Sequence, residues 1–150
     1  MRKSFTLIEL IFVLVVIAIL SSVALTRFFA LQNRAQEQVA LSFASTLTRT
    51  TGNTLWSKSM AVGGQGSIKN DNDGNNSAFY GNSLEVYVTI PKYFDRTSVN
   101  FANCVSGSGA AAPFIKKNSS TGGEYNIFCR DGNQTDAPKF VAAKENSYNF

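Results

Sequence analysis

The chain has 150 residues and a formal charge of +4, and its length fits one domain. It contains no histidine, so the commonest general base and the commonest metal ligand are both absent. This absence argues against most enzyme classes. Arg2 and Lys3 supply half of the net charge, and Lys116–Lys117 is the only adjacent basic pair after residue 28. Basic residues distributed in this way are only a weak indication of nucleic acid binding.

The N-terminal segment is strongly apolar. Residues 5–25 read FTLIELIFVLVVIAILSSVAL, and a helix of this length crosses a hydrocarbon core of about 30 Å. Arg2 and Lys3 precede the run and Arg27 follows it, a bias that slightly favours a cytoplasmic N-terminus. The alternative is an ordinary secretory signal, cleaved beside the small residues at positions 18–24.

Glu9 is the one charged residue inside this apolar run. An unpaired carboxylate at that depth costs a few kcal/mol or becomes protonated, so it needs a cationic partner. The alternative is a glutamate tolerated at the membrane surface, where the helix dipole favours an anion near the N-terminus.

The run RKSFTLIEL, followed by an unbroken apolar stretch, resembles the prepilin signature of type IV pilins and type II secretion pseudopilins over residues 2–25. The resemblance implies that a leader of residues 1–4 stays in the cytoplasm and that prepilin peptidase cuts between Ser4 and Phe5. The same enzyme would then methylate the Phe5 amine. Family members usually carry glycine before the cut, whereas this chain carries Ser4, which is also small.

The resemblance also gives Glu9 a partner. After cleavage the Phe5 amine is cationic and lies in or near the bilayer, where it needs an anion as much as Glu9 needs a cation. In the family this pairing is taken to join neighbouring subunits of a helical filament, assembled on an inner-membrane platform. Thr26 occupies a position where many pilins have a proline, so the sequence does not force a kink there.

The helical pattern continues beyond the membrane segment as an amphipathic stripe. Its apolar residues recur at spacings near three and four: Phe28, Leu31, Ala35, Val39, Phe43, Leu47 and Leu55. Since no proline occurs before Pro91, one helix is expected from Phe5 to about Lys58, with Gly52 as a weak point.

A polar stretch without periodicity opens with Gly63, Gly64 and Gly66, continues through residues 70–76 and predicts a long surface loop. Its DNDG portion resembles a calcium loop, although the EF-hand register fails, so calcium binding through Asp71 and Asp73 is a minor alternative to solvated loop residues. Asn75 lies in an acidic-x-Asn-x-Ser pattern that resembles a bacterial N-glycosylation site.

Alternating apolar residues then predict strands at 84–90, at 99–101, at 125–130 and at 139–143. The expected fold is therefore α+β, in which a long helix, transmembrane in its first half and amphipathic in its second, packs on a small antiparallel β-sheet. The expected divisions are the 1–4 leader, the 5–27 transmembrane half, and an exported pilin-like domain over 28–150.

Cys104 and Cys129 lie at or near predicted strand ends in a domain expected to be exported, where thiols oxidise. A disulfide is the leading interpretation. It would close a loop of about 26 residues and contribute roughly 3 kcal/mol to stability. Two cysteines without histidine lack the ligands of a metal site, and no cofactor is expected.

The sequence thus favours a structural subunit, either a minor pilin or a pseudopilin, and not an enzyme. We expect a single-pass protein of the bacterial inner membrane, with its soluble domain in the periplasm or, in a filament, outside the cell. The rival hypothesis is a filament-tip binding module that captures DNA or an exported substrate. For DNA, the candidate patch is Lys116 and Lys117 beside Phe114.

Overall fold

The computed structural model describes residues 6–69 and 84–150, and it divides the chain into two compact units, 1–35 and 36–150. The helical elements are α1 (Leu7–Thr46), a π-helical turn (Leu47–Gly52) and α2 (Asn53–Ala61). The strands are β1 (Ala110–Ala111), β2 (Asn126–Arg130), β3 (Lys139–Ala143) and β4 (Tyr148–Asn149). Long helices followed by small antiparallel sheets confirm the predicted α+β layout.

Helix α2 ends three residues beyond the predicted Lys58, at Ala61. Gly63 adopts a left-handed backbone with φ of 83°, and its N–H donates to the Met60 carbonyl. The Gly64 N–H donates to the Ser59 carbonyl at 2.8 Å. This pair of bonds is a Schellman C-terminal cap, which favours glycine because a side chain is strained at positive φ.

The π-helical turn keeps one face of the helix buried. Phe43, Leu47, Thr51 and Leu55 are all buried, although residues four apart in a straight α-helix drift by about 40° per step. A π turn closes i→i+5 hydrogen bonds and is therefore wider, which reduces that drift. Gly52 ends this turn at a crowded position. A Cβ there would lie 2.9 Å from the Leu47 carbonyl oxygen, 3.2 Å from the Phe140 ring and 3.3 Å from the Pro138 carbonyl oxygen.

Strand β2 is the centre of the main sheet of the second unit. One edge of β2 pairs antiparallel with β3, in the register Cys129 opposite Phe140. Its other edge is bridged by Ile115, which exchanges backbone hydrogen bonds with Ile127. Strands β1 and β4 form a separate two-stranded sheet.

The far edge of β3 is fastened to the helix by a side chain. The Phe140 N–H donates to the Thr48 hydroxyl oxygen at 3.0 Å, and that hydroxyl lies 3.0 Å from the Ala44 carbonyl oxygen and 3.2 Å from the Phe140 carbonyl oxygen. The threonine thus takes the place of a further strand. Both outer edges of the β2–β3 pair are therefore occupied at these positions.

The core lies between the helix face and the sheet. Rings pack in contact there, with Phe43 and Phe94 centroids 5.2 Å apart and Phe114 and Phe140 centroids also 5.2 Å apart. The other buried residues of this cluster are Ala40, Ala44, Leu47, Leu55, Ile68, Leu84, Ile90, Cys104, Ile115, Tyr125, Ile127 and Cys129. Phe128 is also buried and stacks on Tyr148 of β4 at 5.7 Å.

The predicted strand at 139–143 is confirmed, and so is the one at 125–130, which begins at Asn126 and ends at Arg130. The predicted strand at 84–90 is wrong. Leu84–Val86 forms a 3-10 turn in which the Tyr87 and Val88 N–H groups donate to the Leu84 carbonyl. The alternating pattern is real, but Thr48 and residues 114–115 already occupy the sheet edges that another strand would use.

The predicted strand at 99–101 is also wrong. Asp95 and Asn100 accept hydrogen bonds from the backbone N–H groups of Thr97 and Ala102, and each caps a short 3-10 turn. Side chains of Asp and Asn compete with a β-ladder in this way, so these residues outweigh the apolar alternation.

The amphipathic stripe was predicted to be buried from Phe28 onward, and this prediction is wrong for its first half. Phe28 is 63% exposed and Leu31 is 65% exposed, whereas burial begins at Ala40. The spacing identifies the apolar face of the helix but not the residue at which its burial begins.

Cys104 and Cys129 form the predicted disulfide, with Cα atoms 4.5 Å apart. Both residues are completely buried in the core cluster. The bond ties the segment after the 3-10 turn at Phe101–Asn103 to β2, and the neighbouring Val105 N–H donates to the Cys129 carbonyl. Covalent closure limits the unfolded chain and contributes about 3 kcal/mol in the chain-entropy account.

A matched pair of threonine substitutions tests the packing of β3 on the helix. The Thr51 hydroxyl is buried and has no hydrogen-bond partner within the described residues, whereas that of Thr48 is bonded. We expect Thr48→Val to lower the free energy of unfolding by about 1–2 kcal/mol, because the Phe140 N–H loses its acceptor. We expect Thr51→Val to leave it unchanged or to raise it by about 1 kcal/mol.

The measurement is urea unfolding of the full chain in a zwitterionic detergent, followed by the fluorescence of Trp56, the single tryptophan of the sequence. Since both substitutions exchange a hydroxyl for a methyl group at nearby helix positions, equal losses of stability would contradict the role assigned to Thr48.

Candidate functional site

The first unit presents an uncovered apolar helix. All residues from Leu7 to Leu25 are exposed, and an 18-residue window of this helix has a mean hydropathy of 2.8. By length and composition the helix is able to cross a membrane. So much exposed apolar surface is unfavourable in water, so this segment requires lipid or other apolar helices around it.

The helix begins with a reciprocal cap between Thr6 and Glu9. The Glu9 N–H donates to the Thr6 hydroxyl oxygen at 3.4 Å, while the Thr6 N–H and hydroxyl donate to Glu9 Oε2 at 3.5 Å and 3.4 Å. Thr6 directly precedes the first helical residue, so this is a capping box, which supplies partners for N–H groups left open at a helix start.

The capping box holds the Glu9 carboxylate at the start of the apolar run. Only Oε2 takes part in the hydrogen bonds with Thr6, so Oε1 keeps its capacity to accept from another donor. The cap supplies polar donors but no positive charge. Thr6 was not singled out from the sequence, although the spacing Thr-x-x-Glu ahead of an apolar run is the signal of a capping box.

The helix runs without interruption across Thr26, where the sequence lacks the proline common in pilins. The Ser22 hydroxyl donates to the Ile19 carbonyl at 2.8 Å, a side-chain to backbone bond that serine commonly makes within a helix. In such a bond a backbone carbonyl of the helix accepts an additional hydrogen bond, and the helix is not interrupted.

Several predicted site residues lie outside the described residues. These are the cleavage pair Ser4 and Phe5, the calcium candidates Asp71 and Asp73, and the glycosylation candidate Asn75. Within residues 6–69 and 84–150, no group of three or more His, Cys, Asp or Glu side chains converges as a metal site.

The predicted nucleic acid patch is not supported by the structure. Phe114 is completely buried in the core, so its ring is not available to stack on a base. The two lysines also lie near carboxylates. The pKa of Asp95 is lowered, mainly by the hydrogen bond from the Thr97 side chain and to a lesser degree by the charge of Lys116.

Glu124 shows the same effect for the second lysine. Its pKa is lowered mainly by the hydrogen bond from Lys144, 2.7 Å away, with a smaller contribution from the charge of Lys117. Each lysine of the pair therefore has an acidic neighbour, which weakens its attraction for phosphate.

Residues 1–25 match a family model described as the prokaryotic N-terminal methylation motif. The match includes the capped glutamate and the exposed apolar helix up to Leu25. Comparisons with curated proteins and with solved structures give no match for this chain. The N-terminus therefore carries the prepilin signature of type IV pilins and pseudopilins, and the long helix with its small sheets fits a pilin-like layout.

Proposed function

We propose that the chain is a minor pilin or pseudopilin, a structural subunit of a type IV pilus, a type II secretion pseudopilus or a related filament. The observation that carries this proposal is the methylation motif at 1–25, continuous with an exposed apolar helix that holds one carboxylate near its start. Prepilin processing and assembly with other pilin-like subunits follow from the motif.

Three divisions of the chain follow from this proposal. Residues 1–4 are the leader, 5–27 form the membrane-spanning half of the helix, and 28–150 form the exported domain. Before assembly the subunit lies in the inner membrane, with its leader in the cytoplasm and its exported domain in the periplasm. An inner-membrane platform then adds it to the filament, where helices of other subunits replace the lipid around the apolar surface.

Glu9 sets the axial register in this mechanism. In the membrane, Thr6 provides the carboxylate with polar donors but leaves its charge unpaired. In the filament, the methylated Phe5 amine of a neighbouring subunit supplies the missing cation. Both groups are costly when unpaired in a medium of low dielectric constant, so the subunit is held where they meet.

The alternative, a tip module that captures DNA, has weaker support. Phe114 is buried and therefore cannot contribute to the proposed DNA-binding patch. Lys116 and Lys117 have acidic neighbours. A structural subunit needs no such patch.

Processing is the first test. In cells that contain prepilin peptidase, we expect the mature chain to begin at Phe5 and to carry one methyl group on its amine, as measured by intact mass and N-terminal peptide analysis. Ser4→Gly should be processed at least as completely, whereas Ser4→Leu should accumulate precursor, because a large side chain does not fit before the cut. Recovery of wild-type chains that start only at Met1, or beyond Ser22, would remove the prepilin assignment.

Assembly is the second test. Glu9→Ala should insert into the membrane as well as wild type, because removing a charge makes transfer of the segment less costly, yet it should be depleted from sheared filaments. Glu9→Gln should be depleted nearly as strongly. Glutamine at this position still permits a capping box but does not neutralise the neighbouring amine.

Glu145→Gln is the matched control, because it makes the same change at an exposed position of the second unit. It should enter filaments at the wild-type level. If both Glu9 variants are incorporated like wild type, with cleavage before Phe5 unchanged, the carboxylate is merely tolerated and the register mechanism is wrong.

A further inference from the structure

A polar cleft lies in the second unit, remote in sequence from the N-terminal motif. It has a volume of about 860 Å³, within the range typical of small-molecule sites. The loop 63–67 forms one wall, the turn 131–135 forms the other, and Ser106 contributes from a third segment.

A buried carboxylate organises the cleft. Asp131 Oδ1 accepts from the backbone N–H groups of Ile68, Lys69 and Gly132 at 2.8, 3.2 and 2.9 Å. Oδ2 accepts one hydrogen bond, from the Ser67 hydroxyl at 2.6 Å. The carboxylate therefore fastens the loop to the turn, and Oδ2 keeps capacity for one more donor from the cleft.

Two amide side chains stand at the rim. Gln65 is the one described non-glycine residue with positive φ, at 54°, although three of its close neighbours in the loop are glycine. A non-glycine residue in this region is strained, and such strain is concentrated at functional positions. The side chains of Gln65 and Gln134 make no hydrogen bond within the described residues, so each offers a donor and an acceptor.

Trp56 joins the two walls. Its indole N–H donates to the Asn133 carbonyl at 2.7 Å. The indole also lies against the glycines of both walls, since a Cβ on Gly66 would be 2.6 Å from Nε1 and a Cβ on Gly132 would be 3.0 Å from Cδ1. Any ligand that moves either wall therefore changes the surroundings of the indole.

The lining selects a chemical class of ligand. Among its described residues it contains no lysine or arginine for an anion and no large apolar side chain for a lipid tail. Within the described residues it also lacks the carboxylate cluster of a metal site. What remains are amides, hydroxyls, backbone groups and one carboxylate oxygen, a set that pairs with alternating hydroxyl donors and acceptors. We propose that this cleft binds a neutral, hydroxyl-rich ligand, namely a segment of oligosaccharide.

The test uses the full chain in micelles of a zwitterionic detergent, since detergents with sugar headgroups would compete. Trp56, the single tryptophan, is titrated with chitotetraose and with maltotetraose. We expect a saturable change in its emission with at least one of them, with a Kd between about 10 μM and 5 mM. No saturable change with either sugar would overturn the proposal, as would the same change with sodium sulfate or calcium chloride alone.

Variants locate the response. Gln65→Gly with Gln134→Ala should weaken binding about tenfold, because two rim amides are lost. The melting temperature should not fall, since glycine relieves the strain at position 65. Gln32→Ala with Gln38→Ala removes two exposed amides of α1 and should bind like wild type. If the rim variant binds as tightly as this control, the sugar lies elsewhere and the cleft is not its site.

The proposal is independent of filament assembly. The rim variant should enter filaments normally, so failure of the sugar titration leaves the structural function untouched, and failure of the Glu9 test leaves the cleft untouched.

Discussion

The carboxylate of Glu9, at the start of an uncovered apolar helix, is the constraint from which the proposed function follows. A helix exposed from Leu7 to Leu25 needs an apolar surrounding, but that surrounding penalises an unpaired charge. The cap from Thr6 reduces the penalty locally and fixes the carboxylate at the helix start. A cap does not cancel charge, and the mechanism proposed above therefore assigns the missing cation to the amine of a neighbouring subunit.

The second unit meets a different requirement, which is to stay folded with a small core. Its stability depends on one face of the helix continuing through the π-helical turn, on Thr48 closing the outer edge of β3, and on the disulfide within the core. These three features stabilise the unit in place of the larger sheet that the sequence predicts.

The sequence predicts the features that depend on local chemistry or on long patterns. The apolar run, the strand at 139–143 and the disulfide partners fall in this class, since each is signalled by composition, alternation or compartment. The strand at 84–90 was predicted wrongly because alternation does not reveal whether a sheet edge is available. The burial of Phe114 and the assembly of the polar cleft depend on contacts between distant segments, such as Ser67 with Asp131, which one-dimensional patterns do not encode.

The most direct measurement of the central claim is cross-linking of intact filaments with dicyclohexylcarbodiimide, which enters apolar regions and joins a carboxylate to an adjacent amine. We expect a peptide that links Glu9 to the methylated Phe5 amine of another subunit. The ion pair between Glu124 and Lys144, 2.7 Å apart, serves as an internal control for the reaction. Recovery of the Glu124–Lys144 link while Glu9 remains unlinked to any N-terminal amine would contradict the account.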